Sequence, residues 1–565
     1  MRLRSGATTA LAVGLLGVAA TAAVADRDDD GQNRQAIDTR ADYTPFERFT
    51  PLAESSNCPG EGSGKQANPY NLPAGGTEGP DRYDQAIVFE ESDPVTPQPP
   101  QGSQPFAEDL FDMNTQNEFG KDAGRYVFRT HEVGAATEPS DPQSVGGSQV
   151  TVTDLKTGET KNLADRNDWE RFDGIVWTPQ GTILAAEETS AASGRDPQVT
   201  QANAGLVYEL FVDKDDPSRL DPSRERITPG DGTTDTVRDG IRARPALGSK
   251  SHEGMRFDKR GFLYGIAETR GENQTATQSG GIFRFVPDRK GDLSRGQLSA
   301  YDSPNRKDGA GRWQDLDRTA VQVDADAEAA RRDVNRYQRP EDVETGESTG
   351  KDKNNGGQTL YVGITEDGSD GSSEEGAFAI DVRQKDRPFG YRYVGKQTGT
   401  IANPRPGNAS EATGFNTPDN LALDRKGNLA IAEDGGGNGD DVFIAAPPRG
   451  SDDDDDNGKR RDDDDNGKRR DDDDNGKRRE PARTVQRFAS IRDCAAEGTG
   501  IYFALKGTER FSRSHPNPEV RKLVNGETLF VNRQHAGQTS PVDQLVAIAP
   551  VEDDENDDDG EDDDG

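Results

Sequence analysis

Residues Ser251–Glu268 read SHEGMRFDKRGFLYGIAE. An acid, Glu253, stands just before a short apolar run. The turn Asp258-Lys259-Arg260-Gly261 follows, and a second apolar run ends at another acid, Glu268. Two β-type runs around a glycine-containing turn read as a hairpin. A hairpin returns the chain to its starting level, so Glu253 and Glu268 come out as neighbours at one end of it.

The same unit recurs. RFDGIVW with TPQGTILAAEE surrounds Asp173, RPEDVE with GGQTLYVGITED surrounds Glu341, TPDNLAL with DRKGNLAIAED surrounds Asp419, and AEGTGIYF with NGETLFVNRQH follows Glu497. The leading acids Asp173, Glu253, Glu341, Asp419 and Glu497 are spaced by about 80 residues, a long but steady period. RYVFRTHE, ending at Glu132, reads as the second half of an earlier unit. Five full units and a partial one predict an all-β fold, a six-bladed β-propeller, with an irregular N-terminal segment and a disordered acidic insert and tail. The best helix candidate is short, Asp324–Tyr337.

Outward from the repeat, composition divides the chain. Residues 1–25 have a basic start, a short Ala- and Gly-rich apolar run and small residues before Asp26. They read as a Sec-type secretory signal peptide, so the expected protein is secreted. A flexible acidic segment follows over 26–45, then an irregular extension packing on the propeller over 46–123. The propeller itself is expected over 124–550. It is interrupted at 450–481 by a charged insert with a nine-residue repeat, DDDDNGKRR, that lacks apolar residues. An acidic tail spans 551–565. Cys58 and Cys494 are the two cysteines. They form either one bridge between the early and late chain or two buried thiols.

The chain has 565 residues, 31% charged, with a formal net charge of −36. Such a surface repels nucleic acid and anionic membrane, which excludes both as partners. No segment after the leader is apolar enough to cross a bilayer. A monomer acting on a small molecule is expected.

In a propeller the first strand of each blade lines the central channel. The paired acids of the hairpins therefore gather on the order of ten carboxylates at one mouth. Asp173 pairs there with Glu187 and Glu188, Glu341 with Glu366, and Asp419 with Glu433 and Asp434. Two bare charges 4 Å apart repel by about 4 kcal/mol at an effective dielectric near 20. The cluster must hold protons, arginine or metal, and oxygen ligands with an amide such as Asn420 suit Ca²⁺. The other use of such acids is to cap turns at the rim. His252 and His535 flank the motifs, with turn hydrogen bonding or metal binding as their uses, and His131, before Glu132, reads as structural.

GRYVFRTHEV, RFDGIVWTPQGTILAAEE, SHEGMRFD, RPEDVE, TPDNLALDRKGNLAIAEDG and EGTGIYF…ETLFVNRQHAG resemble, in that order, the PhoX-type secreted alkaline phosphatases. The resemblance runs from about Phe46 to Val551, outside the charged insert. It implies several calcium ions and a pair of irons at the channel mouth, binding the phosphoryl group of a phosphate monoester. Carried over, the metal ligands are Glu132, Glu187, Glu188, Glu253, Glu341, Asp419, Glu433 and Asp434. Arg339 grasps phosphate oxygens, with Asn420 assisting. Two positions depart from the family pattern. Ala186 stands where a cysteine is expected before the paired glutamates, which removes a thiolate ligand for iron. IAETRG replaces an ending of the Gly-Asp-Asp type. The expected protein is an exported, calcium-dependent phosphatase. The alternatives are a calcium-dependent propeller hydrolase of lactonase type and a non-catalytic, calcium-stabilised secreted propeller.

Overall fold

The computed structural model describes residues 45–56, 67–76, 80–134, 147–190, 196–269, 280–303, 309–347, 358–366, 375–383, 385–395, 415, 417–434, 440–447, 484–493, 496–534 and 543–551. The leader, the acidic segment up to 44, the insert, the tail beyond Val551, both cysteines and His535 lie outside these residues.

Six sheets form the six blades of a propeller, antiparallel except where the short outer strand Val95–Thr96 runs parallel to Thr160–Asp165. From the channel outward, blade 1 starts with Phe111–Gln116 and Tyr126–His131, and blade 2 with Phe172–Trp177 and Ile183–Glu187. Blade 3 starts with His252–Phe257 and Leu263–Ala267, and blade 4 with Pro340–Glu347 and Gln358–Ile364. Blade 5 starts with Pro418–Leu423 and Leu429–Glu433, and blade 6 with Tyr502–Phe503 and Leu529–Arg533.

Blade 6 is built from both ends of the sequence. Its third strand, Gln544–Val551, pairs with Arg82–Glu90 over eight residues of each. This corrects the expectation of an extension over 46–123. Arg82–Glu90 belongs to blade 6 and Phe111–Gln116 is the innermost strand of blade 1, so the propeller begins well before residue 124. An isolated run such as AIVFEE has nothing nearby to pair with. Its partner is more than 450 residues away.

The core is six apolar clusters, one in each cleft between adjacent blades. Every middle strand is therefore covered on both faces. In blade 2, Ile183 and Ala185 pack toward blade 1, while Leu184 and Ala186 pack toward blade 3 with Val207 and Met255. This is the two-residue side-chain period of a strand. Such strands read as continuous apolar runs, without a solvent face. The helix is confined to Ala325–Arg331. Asp324 caps it by accepting a hydrogen bond from Ala327 N at 2.8 Å.

Candidate metal centre at the channel mouth

One local device repeats around the axis. In five blades the innermost strand loses register just after its first residue: between Phe111 and Asn114, Phe172 and Ile175, His252 and Met255, Pro340 and Val343, and Pro418 and Leu421. Two residues fall in each irregularity, and the first is an acid: Asp112, Asp173, Glu253, Glu341 or Asp419. A bulge takes a side chain out of the pleat and re-aims it, here toward the axis. In four of these blades the residue before the strand has positive φ: Leu110 at 55°, Arg171 at 44°, Arg339 at 44° and Thr417 at 39°. Each of their carbonyls accepts an amide from the end of the neighbouring strand. The donors are Glu132 at 2.9 Å, Glu188 at 2.8 Å, Thr365 at 3.0 Å and Asp434 at 3.0 Å. Left-handed backbone at non-glycine residues costs about 1–3 kcal/mol each and persists where surrounding structure fixes it.

A second set of side chains follows from this register. It comprises Glu132, Glu188, Glu268, Thr365, Asp434 and, in blade 6, Gln534 opposite Glu497. In blade 4 the place is taken by Thr365, which hydrogen-bonds Glu341, and not by Glu366. Glu366 lies one residue beyond the expected pairing, with its amide on the Gln338 carbonyl.

The cluster brings together six of the eight expected metal ligands: Glu132, Glu188, Glu253, Glu341, Asp419 and Asp434. Asp112, Asp173, Glu268 and Glu497 join them. Carboxylate oxygens of Glu253, Glu341 and Asp419 lie within 4.8 Å of one another, and all three residues are buried. Four pairs of acids touch by hydrogen bonds between their own carboxyl groups: Asp112 with Asp173, Glu188 with Glu268, Glu253 with Glu341, and Asp434 with Glu497. Two carboxylates share a contact of this kind only with a proton between them. The alternative is a cation held by both.

The electrostatics follow. Burial, then Glu132, raises the pKa of Asp112. Burial, then Asp112, raises Asp173. Burial comes first for Glu188, Glu253, Asp419 and Glu497 too, followed by Glu268, Asp173, Glu341 and Asp434 respectively. Glu341 is pushed up to about 8 by burial and by Glu268, despite Arg339 beside it. Among the described residues, Arg339 is the cation inside the cluster. Its Nε lies 2.6 Å from Glu268 and 2.8 Å from Glu341, and Nη2 lies 3.3 Å from Asp434. Burial opposes its charge, but Glu341, Glu268 and Asp434 outweigh burial and raise its pKa.

Three expected site residues sit differently. Glu187 accepts the amides of Glu170 at 3.1 Å and Leu206 at 2.9 Å, so both its oxygens serve the wall between blades 1 and 2. Glu433, at the same place in blade 5, accepts the amide of Asp441 at 3.3 Å. Each is the last residue of its strand and follows the pleat, whereas the next residue turns inward. The paired glutamates thus divide into one wall residue and one mouth residue. Asn420 accepts from Gly500 N at 2.5 Å and donates to Asp419 at 3.0 Å. Its amide is spent inside the wall, orienting Asp419 and joining blade 5 to blade 6.

His131 and His252 are fully inside. His131 meets the Glu108 carbonyl at 2.7 Å and Thr151 at 3.0 Å, and His252 meets the Gly248 carbonyl at 2.9 Å. Burial, helped by Arg129, depresses the pKa of His131 to about 3. Both rings are wall elements.

Sequence reasoning missed Asp112. Its strand, FDMNTQ, is buried at every position and shows no alternation. The available signal was the Phe-Asp pair shared with Phe172-Asp173.

Among the described residues, the donor set at the mouth is oxygen throughout: ten carboxylates, with Thr365 and Gln534 completing the circle. Hard oxygen donors in such excess over one arginine fit divalent cations such as Ca²⁺. Ala186 lies in the apolar cleft between blades 2 and 3 and offers the cluster no ligand atom. No described residue supplies sulfur for an iron pair.

Six blades with a ring of carboxylates at one channel mouth define an acid-mouthed six-bladed propeller. A family model, alkaline phosphatase PhoX, matches residues 176–471, just over half of the chain. The chain belongs to that family. Among solved structures it is similar to Pseudomonas fluorescens PhoX in complex with vanadate, a transition state analogue. Identity is 15% and the TM-score 0.50, over 89% of this chain and 98% of that one. This likeness supports the propeller fold. Polysaccharide lyase Uly1 aligns over 84% of this chain and 100% of its own, at 9% identity and a TM-score of 0.31, too low to inform function. No curated protein matches the chain significantly.

Proposed function

We propose that this protein is an exported, calcium-dependent phosphatase that hydrolyses small phosphate monoesters at the acid-ringed mouth. The observation that carries this reading is the set of four touching carboxyl pairs around Arg339. Each pair offers two oxygens to one cation. The proposed ligands are Glu132, Glu188, Glu253, Glu341, Asp419 and Asp434, joined by Asp112, Asp173, Glu268 and Glu497. When bound, clustered cations supply charge neutralisation for phosphoryl oxygens and a nucleophile at moderate pH.

The chain's own residues then divide the work. Arg339 is tied to three acids that belong to the cation sites. Once those acids hold cations, its guanidinium is released to grasp phosphoryl oxygens, for which its planar fork is suited. Asn420 holds the Asp419 carboxylate in place through its amide. The positive-φ entries and bulges fix where each carboxylate points, so the mouth does not collapse as phosphate arrives. The secretory leader is consistent with action on substrates outside the cell. No described helix is long and apolar enough to cross a membrane.

The test combines elemental analysis of the purified protein with turnover of an aryl phosphate, with and without chelator. Bound calcium, chelator-sensitive phosphate release and its loss in Glu253→Gln are expected. Calcium-free protein with unchanged turnover, or turnover of a sugar lactone and no phosphate ester, would overturn the reading.

A further inference from the structure

Opposite the mouth, the hairpin turns of blades 2 and 3 and the chain around residues 211–228 enclose a groove of about 1230 Å³. The placement follows from strand direction. Phe172–Trp177 and His252–Phe257 both start at the mouth and end at these turns. In a chain of net charge −36, this groove is cationic. Lys214, Arg226, Arg238, Lys259, Arg289 and Lys290 are exposed on its lining. The three acids on the lining are spent within the protein. Glu209 pairs with Arg244 at 2.6 Å, Glu225 lies 3.5 Å from Arg242, and Asp292 accepts from Ser294 N at 3.0 Å. Lys214, Arg226, Arg289 and Lys290 form no ion pair among the described residues.

Like charges lining a cleft raise its potential and concentrate counter-ions of opposite sign. With so many acids on the chain, an intramolecular partner for Lys214, Arg226, Arg289 and Lys290 would be easy to supply, and among the described residues none is supplied. Among the described residues, the groove also offers no exposed ring as a stacking platform for bases. Phe211 is buried and Phe119 packs against the cluster between blades 1 and 2. Proteins that hold single-stranded nucleic acid pair their cations with exposed aromatic rings. We propose that this groove binds a linear, base-free phosphate polymer. It would hold the enzyme to a polyanion through a site separate from the mouth, and it does not depend on the mouth being a phosphatase centre. Arginine and lysine side by side suit closely spaced phosphates, the arginines by forked contacts and the lysines as point charges.

The probe is inorganic polyphosphate, added to the full-length protein across a salt series. Binding that weakens with salt is expected. The variant Arg226→Glu/Arg289→Glu/Lys290→Glu should lose at least about tenfold in affinity. The milder triple glutamine variant should lower the slope of log K against log salt by about 2, the value for three fewer single-strand phosphate contacts. Release of phosphate from a small aryl ester should not change in either variant. Substituting Lys156, Lys506 and Lys522, exposed and off the groove lining, with Glu is the control and should leave binding intact. The proposal is overturned if polyphosphate does not bind, or if the control variant loses as much as the groove variant. Equally tight binding of single-stranded DNA, or of the polycarboxylate alginate, also overturns it.

Discussion

Replacing Glu253 with Gln should move stability in opposite directions with and without metal. The carboxylates of Glu253, Glu341 and Asp419 lie within 4.8 Å of each other. At that distance and an effective dielectric near 20, each ionised pair repels by about 3.5 kcal/mol, or about 10 kcal/mol for three pairs. That rivals the whole stability of an ordinary fold, about 5–15 kcal/mol. The metal-free protein avoids the cost by keeping protons, as the raised pKa of Glu341, about 8, reflects. The unfolded chain releases the same proton near the ordinary glutamate value of 4.5. The folded state therefore holds more protons across that interval, and metal-free stability falls as pH rises through it. Glu253→Gln deletes two of the three repulsions, at most about 7 kcal/mol when all are ionised. At pH 9 in EGTA, thermal denaturation should show the variant melting above the parent protein. The difference should shrink toward pH 5. In excess calcium the order should reverse, because the variant has lost a ligand and with it part of the binding stabilisation. A shift of the same sign in EGTA and in calcium would refute the idea that these carboxylates repel when empty and ligate when filled.

Three further outcomes follow from single contacts. Glu187→Gln should leave the metal content unchanged by elemental analysis, because both Glu187 oxygens face the backbone amides of Glu170 and Leu206 and the Gln oxygen keeps one of those two bonds, whereas Glu188→Gln should lower it. Gly254→Ala should destabilise by about 2 kcal/mol or more in chemical denaturation, since a β-carbon there would fall 1.7 Å from Asp342 Oδ1 and 2.6 Å from its Cα. Glu91→Gln should remove a loss of stability that the parent suffers between pH 4.5 and 7. Burial, then Asp109, lifts the Glu91 carboxyl from 4.5 to about 7. The folded state thus keeps a proton that the unfolded chain gives up. The gain at pH 8 should be about 1–2 kcal/mol once partial exposure is allowed for, read from urea melts at the two pH values.

The propeller and most of the acids at its mouth could be read from residues, because hairpins write themselves locally. Asp173, Glu253, Glu341 and Asp419 each precede an apolar run, a glycine turn and a second run, and those features are all neighbours in sequence. What escaped was set by packing or by distant pairing. Asp112 was hidden because its strand is buried on both faces and carries polar residues that hydrogen-bond across blades, as Asn114 does to the Gly500 carbonyl at 2.6 Å. Glu187 and Glu188 look alike as letters. Only the pleat, which fixes Ala185 toward blade 1 and Ala186 toward blade 3, decides which of the two turns inward. Thr365 in place of Glu366 depends on a register one residue different from that suggested by the acids alone. The positive φ of Arg171 and Arg339 has no compositional sign, since neither residue is glycine or asparagine. Nothing near Arg82–Glu90 announced that its partner would be the last described strand.

That last pairing governs how the molecule is made. Until Gln544–Val551 emerges and slots between Leu529–Arg533 and Arg82–Glu90, a growing polypeptide carries two unsealed sheet borders hundreds of residues apart, each a template for stray association. Synthesis must pass residue 551 before the circle can lock, and a chain cut before Gln544 has no way to seal itself.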